Sequence, residues 1–282
     1  MPQNWSLLRE TKNLLKEYHF RPKKKLGQHF LIDDGAIERI LKTSDLKKED
    51  TVVEIGSGLG LLTKELAKRT KKVIGFEKDR ELCRISENVL AGFPNIKIKE
   101  EDILKVSPEQ ISSWGKFKVV GNLPYYITTP IIFSLFGWSK NLALAVLTVQ
   151  KEVAERIVSP PGRKEYGILS IGVQFHSEVE KISDFEKECF FPTPEVVSSL
   201  IRMKIREKPP VLVKDQKEFF NLVKISFSQR RKQLVNVLTK GLKIKKEIIS
   251  HKLSSLGIDP KRRAETLSLQ EFADLSSILY GL

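Results

Sequence analysis

The chain has little sulfur and little histidine to build with. Two cysteines, Cys83 and Cys189, stand among 282 residues without the C-x-x-C spacing of a metal or redox pair, and His19, His29, His176 and His251 are scattered. Neither a disulfide framework nor a zinc site is suggested, and both cysteines are expected to be reduced packing residues. No apolar run is long enough to cross a bilayer. The opening MPQNWSLLRETKNLLKEYHF lacks the apolar core and small-residue cleavage site of a secretory signal, so a cytoplasmic protein is expected. Internal repeats and low-complexity tracts are missing too. The length suits one large domain or a large and a small one, with a real apolar core.

Negative charge is the other scarcity. Lys and Arg number 49 against 35 Asp and Glu, a formal net charge of +14. From Arg202 to Arg263 there are 18 Lys and Arg against 5 Asp and Glu, an excess of 13 that accounts for nearly all of it. Such a segment is either a solvated surface or a face for a polyanion.

Residues 5 to 18 suit a short amphipathic helix, and RPKKKLGQHFLID reads as a basic loop. From Asp50 short apolar runs alternate with helical stretches: TVVEIG and LLTKELAKRT, KVIGFE and RELCRISENVL, NIKIKEED, FKVVGN and TPIIFSLF, LALAVLTVQ and KEVAERIV. That alternation predicts an α/β fold with a parallel sheet and crossover helices. After SPPGRKEYG, the runs ILSIGVQFHSEVEKI and VVSSLIRMKI read as strands closing the sheet with a hairpin around CFFPTPE. Pro209-Pro210 is the best linker, dividing a sheet domain with an N-terminal extension (1–206) from a small basic helical domain (207–282).

Val52 to Gly60, VVEIGSGLG, runs a strand into a glycine turn and then a helix. Its G-x-G-x-G spacing differs from the pyrophosphate-cradling G-x-G-x-x-G, which tilts the ligand from a dinucleotide toward a nucleoside. Glu77 ends the next strand, where an acid accepts from ribose hydroxyls. Asp102 ends the third, where a carboxylate accepts from an adenine amine. Singly, each acid is more simply a helix cap or surface charge. Together with Gly56, at the carboxyl ends of successive strands, they favour an adenosine-containing cofactor.

The fourth strand delivers Asn122-Leu123-Pro124-Tyr125 to the same edge. Out of context this is a structural Asn-x-Pro turn. Beside a cofactor, the Asn122 side-chain carbonyl and the Leu123 and Pro124 carbonyls are acceptors for an exocyclic amine, and Tyr125 offers a ring on which an extruded base stacks. Tyr126 has no evident role and reads as core.

Asn-Leu-Pro-Tyr resembles the motif of the ribosomal RNA adenine dimethyltransferase family. Lys25-Leu26-Gly27-Gln28-His29-Phe30-Leu31 resembles its N-terminal cofactor-clamping motif, and Val53 to Gly58 its glycine loop. Gln150 to Arg156, Tyr166-Gly167 with Leu169-Ser170, Phe190 to Val196 and Phe227 to Lys232 are also similar, so the resemblance runs from about Lys24 through the C-terminal helices. It implies a Rossmann-like class I methyltransferase sheet with a small C-terminal helical domain. It also implies S-adenosylmethionine-dependent N6,N6-dimethylation of two adjacent adenosines in the 3′-terminal hairpin of small-subunit (16S) ribosomal RNA, during ribosome biogenesis. The partner is then the pre-30S particle, with no membrane and no obligate oligomer; a monomer is expected. The implied cofactor residues are His29, Leu31, Gly56, Glu77, Asp102 and Asn122. Asn122, Leu123, Pro124 and Tyr125 would serve the target adenine, Phe190 would close over its other face, and Arg230, Arg231 and Lys232 would contact RNA phosphates. Phe190 and Phe191 equally suit the core of a closing hairpin. His29 replaces a frequent asparagine, and Ile168 a frequent basic residue. Three rivals remain: the large-subunit adenine methyltransferase of macrolide resistance, an assembly factor acting by binding, and a nicotinamide-dependent oxidoreductase, which the glycine spacing disfavours.

Overall fold

The computed structural model describes residues 6–280. Trp5, Gly281 and Leu282, which the sequence pattern places in terminal helical stretches, lie outside them. Helix α1 (Ser6–Glu17) is followed by a two-residue strand β1 (Phe30–Leu31) and helix α2 (Asp34–Thr43). The sequence reading passes over α2. It starts where Asp33 accepts a hydrogen bond from the Ala36 amide at 2.6 Å, and it buries Ala36, Ile37, Ile40 and Leu41.

The predicted alternation then appears: β2 (Thr51–Ile55), α3 (Leu61–Ala67), β3 (Lys72–Glu77), α4 (Arg80–Val89), β4 (Ile96–Glu100), α5 (Pro108–Ser112), β5 (Phe117–Asn122), α6 (Thr128–Phe136) and β6 (Leu142–Gln150). Helices α7 (Lys151–Val158) and α8 (Ile168–His176) precede β7 (Ser177–Phe185), β8 (Phe190–Phe191) and β9 (Ser198–Ile205). The main sheet has the order β4-β3-β2-β5-β6-β9-β7, parallel from β4 to β6 and antiparallel between β6 and β9; β1 pairs with β8 separately. β2 sits between β3 and β5, so strand order reverses beside it. A crevice opens at the carboxyl ends of strands at such a point. The strands come close there: a Cβ at Gly121 would lie 2.9 Å from the Ile55 carbonyl oxygen.

The run ILSIGVQFH is a helix, α8, and not a strand. A short apolar run carries no period that separates a buried helix from a buried strand, and here its partners decide. Two compact units divide the chain. One holds Met1–Ala154 with Glu178–Glu207, the other Glu155–Ser177 with Lys208–Leu282. Residues 155–177, which the sequence reading assigns to the sheet domain, thus pack with the C-terminal helices; the other boundary falls at Lys208, next to Pro209-Pro210. In the second unit α8, α9 (Gln216–Ser226), α10 (Leu234–Leu242), α11 (Lys246–Ser255) and α12 (Leu269–Tyr280) bury Phe175, Phe219, Leu238, Leu253 and Phe272 in one cluster.

Candidate active site

A cleft of about 1060 Å³, open to solvent, lies over the switch point of the sheet in the first unit. Its floor is the turn after β2. Gly56, Gly58 and Gly60 all have positive φ, and a Cβ at Gly58 would sit 3.3 Å from the Phe30 ring. That position therefore needs glycine on both conformational and steric grounds. Beneath it Glu54, 1% exposed, accepts a 2.5 Å hydrogen bond from the Thr63 hydroxyl. Burial pushes its carboxyl up to about 8, so Glu54 is largely neutral at pH 7.

Glu77, at the end of β3, has both carboxylate oxygens engaged by backbone. Oε2 accepts from the Gly58 amide at 3.0 Å, and Oε1 from the Lys78 and Asp79 amides at 2.8 and 2.9 Å. Burial raises its pKa while these amides oppose the rise. The carboxylate is thereby fixed in orientation, and Oε2, which accepts a single bond, keeps acceptor capacity toward the cleft. Asp102 lies two residues beyond β4. It caps a short 3-10 turn through the Leu104 amide (3.1 Å) and also lines the cleft. Its other oxygen accepts from the Lys78 ammonium at 2.8 Å, which holds its carboxyl below the usual range.

The basic loop folds into one wall. Leu26 to Leu31 line the cleft, held by contacts that no sequence pattern announces. Asp79 is their hub: it accepts from the Lys23 ammonium (2.9 Å) and the Gln28 amide (2.8 Å), caps α4, and gives its own amide to Glu77. Burial alone would raise the Asp79 carboxyl; the bonds from Lys23 and Gln28 outweigh it and lower it. His29 sets Nδ1 2.6 Å from the Pro192 carbonyl, so Nδ1 carries the proton, and its ring stacks on Tyr125 with centroids 5.7 Å apart.

Asn122 closes the opposite side. Its Nδ2 donates to the His29 carbonyl at 2.8 Å, which leaves Oδ1 as an acceptor. The Pro124 carbonyl, expected to face an amine, instead accepts from the Ile127 amide (3.2 Å) and the Thr128 hydroxyl (3.1 Å). It is the first acceptor of the turn into α6, and both lone pairs are taken. The Leu123 carbonyl accepts no hydrogen bond among the described residues. Tyr125 is half-buried, its hydroxyl 2.7 Å from that of Ser198.

Phe190 is not brought to the cleft. It is 1% exposed and packs among Leu31, Val120 and Leu200, and it pairs with Leu31 of β1. Phe191 is half-buried, with the Lys12 ammonium 5.5 Å above its ring. Tyr126, read as core, is 53% exposed and lines the cleft. In the second unit Arg230 is a staple: its guanidinium donates to the Lys164 and Tyr166 carbonyls (2.6 and 2.9 Å) and lies 3.6 Å from Glu265. Arg231 and Lys232 are exposed, with no carboxylate partner among the described residues. No cluster of metal-ligating side chains occurs among the described residues either.

A cleft at the switch point, with a glycine cradle on one side and an Asn-Leu-Pro-Tyr turn on the other, is the arrangement of the Rossmann-like class I methyltransferases. Comparison with known proteins narrows that class. The chain belongs to the ribosomal RNA adenine dimethylase family, whose sequence profile matches residues 19–280. It is 44% identical over 277 residues to proteins of Bacillus mycoides and Bacillus cereus named ribosomal RNA small subunit methyltransferase A, covering 95% of both chains in each case. The fold is similar to that of a dimethyladenosine transferase from Plasmodium falciparum (26% identity, TM-score 0.76, 90% of this chain and 99% of that one). It is also similar to that of the 23S rRNA methyltransferase ErmE (25% identity, TM-score 0.70, 89% and 99%). The chain is a methyltransferase of the ribosomal RNA adenine dimethylase type.

Proposed function

We propose that the chain transfers methyl groups from S-adenosylmethionine to the N6 atoms of two adjacent adenosines in the 3′-terminal hairpin of small-subunit ribosomal RNA, acting on the immature particle. The observation that carries this reading is the grouping of Gly58, Glu77, Asp102 and Asn122 around one cleft. The residues present suit the cofactor. The glycine turn is a backbone cradle, Glu77 an oriented acceptor for ribose hydroxyls, and Asp102 an acceptor for the adenine amine. When bound, S-adenosylmethionine supplies a methyl group on a cationic sulfur.

The exocyclic amine of adenine is a poor nucleophile because its lone pair is delocalised into the ring. Asn122 Oδ1 and the unengaged Leu123 carbonyl accept its two N–H bonds and hold the nitrogen toward the methyl group. Methylation makes the amine cationic before it loses its proton, so no strong base is called for, and orientation supplies most of the rate. The Tyr125 ring bears on the base. His29 and Leu31 belong to the wall that confines the cofactor. Arg231 and Lys232 supply sequence-independent attraction to phosphates.

The high identity to small-subunit enzymes supports this choice over the large-subunit reading. The test is to incubate purified protein with small subunits from a strain lacking the activity, and with large-subunit RNA, and to map the methylated nucleotides. Dimethyladenosine at two adjacent positions near the small-subunit 3′ end is expected; methylation of large-subunit RNA alone would refute the assignment.

A further inference from the structure

Helix α1 precedes the span that the family profile matches, and the sequence assigns it no role. Thr11 and Leu15 are buried, and Leu7 packs with Leu15, Phe30 and Leu61 near the cleft. At 3.6 residues per turn, Arg9, Lys12 and Lys16 fall within an arc of roughly 60° on another side of the helix. All three are exposed, and none pairs with a carboxylate among the described residues. The acids lie on a different flank, where Glu10 reaches Lys64 at 3.8 Å. Like charges so aligned repel one another by a few tenths of a kcal/mol per pair, so the helix alone gains nothing from the stripe.

Its position points to a partner. The Lys12 ammonium stands over the Phe191 ring. The carbonyl of the next residue, Pro192, accepts a hydrogen bond from Nδ1 of His29, whose ring stacks on Tyr125. The stripe therefore adjoins the wall of the cleft that carries the base-handling residues. Exposed Lys24 and Lys25 precede Leu26 and Gly27 of the cleft lining.

We infer that the Arg9–Lys12–Lys16 face of α1 is a phosphate-contacting surface that holds the RNA backbone flanking the target adenosines. The inference rests on the functional reading above. Its chemistry is charge complementarity without base reading, which weakens with salt in proportion to the phosphates contacted.

The test uses the full chain and immature small subunits, with affinity measured over a salt series. Replacing Arg9, Lys12 and Lys16 together by Gln should weaken binding about tenfold at moderate salt and reduce the log–log salt slope by about 2. Calorimetric affinity for S-adenosylmethionine should not change, and Lys12→Arg alone should keep wild-type binding and slope. Unchanged affinity and slope in the triple variant, with the wild type methylating small subunits, would overturn the surface alone. If the wild type methylated no small-subunit RNA, the functional reading would fall and the surface with it.

Discussion

Asn122 shows what one side chain contributes and how little freedom it has. Its amide nitrogen is tied to the His29 carbonyl, so Oδ1 has one direction left. Asn122→Ala is expected to slow methyl transfer by about 10²-fold or more, the scale of removing one preorganised polar contact to a reacting group. Single-turnover kinetics with saturating cofactor would check it. Tyr125→Ala should slow transfer by about tenfold or more, from the loss of a stacking surface, with little change in cofactor affinity; equal loss of both would remove the ring from the base. Glu54 makes a prediction about pH. Its folded pKa, about 8, lies above the unfolded carboxyl value, so the folded state binds its proton more tightly and stability falls as pH rises from about 4.5 toward 8. Glu54→Gln cannot ionise. Thermal unfolding without cofactor should find it more stable relative to the wild type at pH 8 than at pH 4.5. Motif residues such as Asn122 were legible because their type and strand-end position are local facts; the neutral state of Glu54 was not, because it depends on what surrounds the strand.

At the scale of elements, the segment from Lys23 to Leu31 supplies one wall of the cleft. Basic composition makes it read as loop, and its spacing alone does not reveal that Asp79 holds it through Lys23 and Gln28. Asp79→Asn weakens two hydrogen bonds involving charge, and such bonds contribute about 1.5–3 kcal/mol each. Cofactor affinity should fall by about tenfold, amide exchange at residues 24–31 should quicken, and single-turnover methyl transfer at saturating cofactor should change less than affinity. An affinity within twofold of wild type would deny Asp79 this role. The β1–β8 pairing makes a similar point about Phe190. Its ring is buried in the core beside Val120 and Leu200, and Phe190→Ala should cost about 3–5 kcal/mol of stability in denaturant unfolding.

For the whole molecule, the +13 segment was visible in composition, but its charges do not share one task. Arg230, though exposed, donates to the Lys164 and Tyr166 carbonyls, whereas the exposed Arg231 and Lys232 have no carboxylate partner among the described residues. Charge reversal at Arg231 and Lys232 should weaken small-subunit binding and lower its salt slope by about 2, with unchanged melting. Arg230→Ala should instead lower stability by about 1–3 kcal/mol. The reverse pattern, with binding lost only at Arg230, would exchange these roles.

By itself the sequence determined the alternation of strand and helix, the glycine turn, and the placing of Glu77, Asp102 and Asn122 at the carboxyl ends of their strands. Periodicity and turn chemistry act over a few residues, and topology then carries strand ends to one edge. Only the tertiary structure decided that Ile168–His176 is a helix, that Tyr126 faces the cleft while Phe190 does not, that the Pro124 carbonyl is spent on α6, and that Arg230 is a staple. Each of these depends on which groups meet across the fold: burial, hydrogen-bond supply and charge pairing belong to the neighbours in space, and a linear pattern holds no record of them.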